Sequence, residues 1–63
     1  MTLKEAIMNQ GNTVEEAQLV LDTMVEDFLA GGNPYQIIDD QNLEDGYVED
    51  LLNACEAHEG GQA

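Results

Sequence analysis

Two Thr-x-x-Glu signatures and one Gly-Gly-Asn-Pro junction fix where helices can start and stop in this chain. Thr2 with Glu5, and Thr13 with Glu16, have the spacing of a capping box. In that motif the hydroxyl and the carboxylate satisfy each other's backbone N–H groups at a helix start. Gly11 follows the first segment and Gly31-Gly32 the second, and glycine takes the left-handed conformation that closes a helix. Asn33 then stands at a cap position, with Pro34 at the first helical position, where a missing N–H costs nothing. No stretch alternates for long enough to make a strand. The punctuation predicts an all-α fold, a compact bundle of three or four short helices at roughly residues 3–9, 14–30, 34–40 and 43–58. The fourth is expected to open at Asn42, with Glu44 and Asp45 in its first turn, facing the positive end of the helix dipole. Residues 1–59 read as one small domain and 60–63 as a flexible Gly-rich tail.

Placing residues at about 100° intervals gives each helix a face. Val14, Ala17, Val20, Leu21, Met24, Val25 and Phe28 share a broad stripe, with Glu15, Asp22 and Glu26 on the opposite side. Leu19 falls among those acids. The third helix is expected to bury Ile37 and Ile38. The fourth is expected to bury Tyr47, Val48, Leu51, Leu52 and Cys55, leaving Glu49, Asp50 and Glu56 outside. A chain of 63 residues is near the size at which a single core only just offsets the entropy of folding. The row Val14, Ala17, Leu21, Met24, Phe28 also resembles a coiled-coil seam. It spans too little chain for an independent coiled coil, so feeding its own core is the simpler use and a homodimer the other.

Charge then narrows the partners. Fourteen acids stand against Lys4 alone, a formal net charge of −13. Repulsion on that scale opposes compaction and favours solubility. It argues against direct contact with nucleic acid or an anionic membrane, which recruit Lys and Arg. The segment 34–52 has the short-helix, turn, longer-helix outline of some DNA readers. Its second helix, however, offers Glu44, Asp45, Glu49 and Asp50 where such a reader needs basic and amide side chains. Disorder, the other consequence of high charge, is opposed by the patterned apolar residues.

Dedicated chemistry finds little support. Asp40 to Gly46 looks like a piece of a calcium-binding loop, yet with Asp40 first the glycine falls at position seven instead of six. Leu51 then occupies the place of the bidentate glutamate, and shifting the register puts Gln41 and Leu43 among the ligands. Cys55 and His58 have a metal-compatible spacing but no further Cys or His to complete a closed zinc site. The stretch AGGNPYQ lacks the Lys and Ser/Thr of a phosphate loop. No nucleophile stands beside a base, so no enzyme activity, metal or cofactor is expected. One cysteine makes no internal disulfide, and neither a secretory signal nor a membrane span is apparent, which points to the cytoplasm.

What remains is binding. Glu26-Asp27, Asp39-Asp40 and Glu56 with Glu59 fall near predicted helix C-termini, where each acid is unfavourable by about a few tenths of a kcal/mol. Lysine forms helices as well and would relieve this. Repeated breach of a local rule is what a functional surface can look like; adaptation to high salt is the competing explanation. The functional reading is a non-catalytic acidic interaction protein that occupies a basic protein surface, as an inhibitor of a DNA- or RNA-handling factor that mimics nucleic acid. Glu15, Leu19, Asp22 and Glu26 on one helix, and Glu49, Asp50 and Glu56 on another, would make the contact. In size and charge alone the chain is similar to phage-encoded inhibitors of restriction or CRISPR machinery. The alternative is a small helical homo-oligomer or adaptor whose acids serve solubility.

Overall fold

A computed structural model describes residues 1–61, with side chains described as far as His58. Four helices follow one another: α1 (Leu3–Asn9), α2 (Val14–Leu29), α3 (Pro34–Asp40) and α4 (Val48–Gly61), with a 3₁₀ turn at Asp45–Tyr47 leading into α4. No strand occurs among the described residues, so the fold is the small helical bundle that the punctuation predicts. The tail expected at 60–63 falls at and beyond the end of α4, and 62–63 lie outside the described residues.

Both capping boxes form. Thr2 Oγ1 accepts from Glu5 N at 3.2 Å while Glu5 Oε1 accepts from Thr2 N at 2.9 Å. The same reciprocal pair at Thr13 and Glu16 measures 3.1 and 2.9 Å. Asn33 Oδ1 accepts from Tyr35 N at 2.9 Å and starts α3 with Pro34 at its first position. Gly31, at φ 104°, ends α2. There Gly32 N donates to Asp27 O and Gly31 N to Phe28 O, both at 3.0 Å, the paired bonds of a Schellman closure.

The fourth helix departs from expectation at its start. Asn42 does not open it: with φ 59°, Asn42 closes α3. Leu43 N reaches back to Ile38 O at 3.2 Å and Asn42 N to Asp39 O at 2.9 Å. Asparagine tolerates the left-handed region better than most residues, and this closure turns Leu43 inward against the core. Residue 44 is therefore extended, the 3₁₀ turn occupies 45–47, and α4 begins at Val48. Glu49 and Asp50, rather than Glu44 and Asp45, are the acids of its first turn.

Every helix contributes to one core: Leu3 and Ile7 from α1, Ala17, Met24 and Val25 from α2, Ile37 and Ile38 from α3, and Val48, Leu51 and Cys55 from α4. α2 packs against the other three helices. Helices of seven residues such as α1 and α3 are unstable in isolation, so this burial is what holds them. Ala17 and Met24 are buried, and Leu21 and Phe28 pack on the core, so four of the five residues of the seam-like row are taken up inside the chain.

Two expected core residues lie outside it. Val14 is 54% exposed. It shares the angular edge of Val25 but sits at the first position of α2, one turn before Ala17, the first buried residue of that helix, so it extends past the part of α2 that its neighbours cover. Leu52, at the edge of the α4 stripe, is 37% exposed, while Leu51 beside it is fully buried.

Candidate partner-binding surface

Glu15, Leu19, Asp22 and Glu26 lie within about 60° of arc on the side of α2 away from the core, and span about 16 Å along its axis. All four are exposed, Leu19 to 69%. The carboxylates of Glu15 and Glu26 have no hydrogen-bond or ion-pair partner among the described residues. Asp22 Oδ1 accepts from Gln18 Nε2 at 2.9 Å, and Gln18 Oε1 accepts from Lys4 Nζ at 2.9 Å. The one lysine thus reaches this stripe through an amide rather than pairing with a carboxylate.

Leu19 separates two open hollows. One, of about 420 Å³, is lined by Asn12, Glu15, Glu16, Leu19 and Val20. The other, of about 170 Å³, is lined by Leu19, Val20, Thr23 and Gln41. Val20, half-buried, backs both. Leu29, 42% exposed, extends the apolar content of this side toward the end of α2. Sequence periodicity does not find the hollows, because they arise from the α1–α2 turn and the end of α3 meeting α2. Leu29 was legible at 100° spacing, since it falls about 20° from the edge of the same outer arc.

The α4 residues divide. Glu49 and Glu56 are exposed and without partners among the described residues. Asp50 is half-buried, and its Oδ2 accepts from Leu3 N at 3.1 Å. It caps α1 from across the molecule, a structural task that removes it from the outward set. Each stripe lies opposite the buried side of its own helix, and those buried sides meet in one core. The α2 and α4 acids therefore face outward in different directions and do not form one patch.

Hydrogen bonding sets two other carboxylates apart. The backbone and hydroxyl of Thr13 hold Glu16 below its ordinary pKa of 4.5, and Thr2 does the same for Glu5. Both stay ionised at lower pH than a free glutamate. Among the described residues no three His, Cys, Asp or Glu side chains converge to hold a metal ion. Cys55 is a core residue, 3% exposed. Among the described residues no helix is long and apolar enough to cross a membrane. Comparison of the chain with protein-family models, curated proteins and solved structures finds no match.

Proposed function

We propose that this protein acts by binding, without catalysis, and that the outer face of α2 docks on a basic surface of another protein. One observation carries the reading: Leu19, 69% exposed, stands in the middle of a row of carboxylates two of which have no partner among the described residues. A lone exposed leucine is ordinary. An exposed leucine between two hollows, ringed by acids, has the anatomy of an apolar contact with a charged rim.

The acids favour a basic partner and would speed its capture by steering. Lys and Arg collect on surfaces that hold phosphates, so a nucleic-acid-handling protein is the partner class, and occupation of its groove would inhibit it. Regular phosphate mimicry is the weaker part of this picture. Only Asp22 and Glu26 of the α2 row have the i,i+4 spacing that brings side chains within about 5–6 Å; Leu19 interrupts the rest. Self-association through this face would bring like charges together, and the seam-like row is already used inside, which favours a heterologous partner.

The test is capture from nuclease-treated native lysate at about 50 and about 500 mM salt, on either side of physiological screening. Wild type is compared with Leu19→Ser and with Glu15→Gln/Asp22→Asn/Glu26→Gln. The reading expects one basic protein, bound by wild type at low salt and lost from both variants. Equal capture by all three removes α2 as the docking face.

A further inference from the structure

We infer that the hollow at the start of α2 receives one arginine side chain of the partner, with its stem on Leu19 and Val20 and its guanidinium among Glu15, Glu16 and Asn12. This rests on the docking reading and specifies its central contact. The chemistry of the lining selects the occupant. Leu19 and Val20 give the hollow an apolar wall, and a long basic side chain lays its methylenes on such a wall while keeping its charge at the edge.

The remaining side chains offer acceptors. Glu15 has no partner among the described residues. Glu16 Oε1 is tied to Thr13 N at 2.9 Å, which fixes the carboxylate in place, while Oε2 has no partner among the described residues. Asn12 is half-buried and turns its amide nitrogen to Ile7 O at 2.8 Å, and its Oδ1 has no partner among the described residues. Guanidinium is their complement, with five donors in a planar fork and no acceptor. Lysine offers a compact point charge without that planar fork. The helix start opposes any cation with about half a positive charge, against two full carboxylate charges beside it. The smaller hollow beyond Leu19, with Thr23 and Gln41, has no carboxylate in its lining and gives a cation no such hold.

The probe is N-acetyl-arginine amide, titrated into the ¹⁵N-labelled full chain at low salt and followed by amide NMR shifts. N-acetyl-citrulline amide, its uncharged near-isostere, and guanidinium chloride are run beside it. The arginine derivative should move the amides of Asn12, Glu15, Glu16, Leu19 and Val20 along one saturating curve, the citrulline derivative should not, and guanidinium alone should bind more weakly. Glu15→Gln/Glu16→Gln should weaken the arginine site about fivefold, the product of two surface ion-pair contacts. Glutamine still completes the capping box at position 16, so this variant keeps the helix start. Equal shifts with citrulline, or arginine shifts spread evenly over all acidic segments, overturn the inference. A chain that captures its partner through Leu19 but shows no arginine site overturns it too and leaves the docking reading standing. An arginine site in a chain that captures nothing supports the hollow and defeats the docking reading.

Discussion

Glu49 and Asp50 are neighbours of the same charge in the first turn of α4, yet truncating them should have unequal consequences. Asp50 accepts from Leu3 N at 3.1 Å in a half-buried setting. Glu49 is exposed, and its carboxylate has no hydrogen-bond or ion-pair partner among the described residues. A hydrogen bond from N–H to a carboxylate contributes about 1.5–3 kcal/mol. Partial exposure brings this one closer to the value of a side-chain helix cap, about 1 kcal/mol. Removing either acid also relieves repulsion and loses the same dipole interaction, each about a few tenths of a kcal/mol and opposite in sign. The difference between Asp50→Ala and Glu49→Ala therefore isolates the contact with Leu3. It should be about 1 kcal/mol, or about 7 °C in melting temperature for a domain of this size, measured by circular dichroism in one buffer. Asp50→Asn, which keeps an oxygen acceptor, should fall between. If the two alanine variants melt together, α4 does not hold the start of α1 and the account of α1 docking is wrong.

The close approach at the α2–α3 turn makes Gly32→Ala destabilising by about 1–3 kcal/mol, because a Cβ there would stand 2.7 Å from Asp27 O and 3.1 Å from Ile37 Cδ1. Gly46→Ala, where a Cβ meets nothing, should be neutral or better in the same urea melts, and equal losses would refute the packing argument. With a net charge of −13, the urea midpoint should rise between about 50 and about 500 mM salt; a flat response would mean that repulsion is not a term in stability. The Glu16 carboxyl, followed by NMR, should titrate below 4.5 and move up toward that value in Thr13→Val. A carboxyl whose pKa is depressed on folding stabilises the fold above its unfolded pKa and loses that contribution as pH falls through the folded one. A Glu16 midpoint at or above 4.5 would contradict the capping box.

Local signals made the helices legible, and distance in sequence hid the rest. Thr2, Thr13, Asn33 and Gly31 act on residues two or three places away, so each could be recognised from spacing alone. Asn42 was ambiguous because asparagine serves both as a helix start and as a left-handed stop. Burial of Leu43 beside Ile38 decides between them, and that contact belongs to the folded chain. Periodicity found the arc of Glu15, Leu19, Asp22 and Glu26 for the same reason it misplaced Val14: it knows angle but not how far a neighbouring helix extends. Asp50 carries no local sign of its role, since its partner is 47 residues away.

The acids themselves divide by position. Glu5 and Glu16 complete capping boxes, Asp50 caps α1, and Glu15 and Glu49 lie in first turns that favour negative charge. Glu26 and Asp27, and Asp39 and Asp40, occupy the last turns of α2 and α3, where no basic residue offsets them. Glu56 leaves that unfavourable group, because α4 continues to Gly61. Folding thus accounts for the first set and is opposed by the second. Solubility alone would be served by acids at any exposed position, so it does not distinguish Glu26 from Asp39. The docking reading does, because Glu26 stands on the outer arc of α2 with Leu19 and Asp39 does not. Glu26→Lys and Asp39→Lys should each stabilise the free protein by about 0.5 kcal/mol, through the dipole and reduced repulsion. Only Glu26→Lys should lower partner capture at low salt. Equal loss of capture in both would make net charge, and not this face, the determinant of binding.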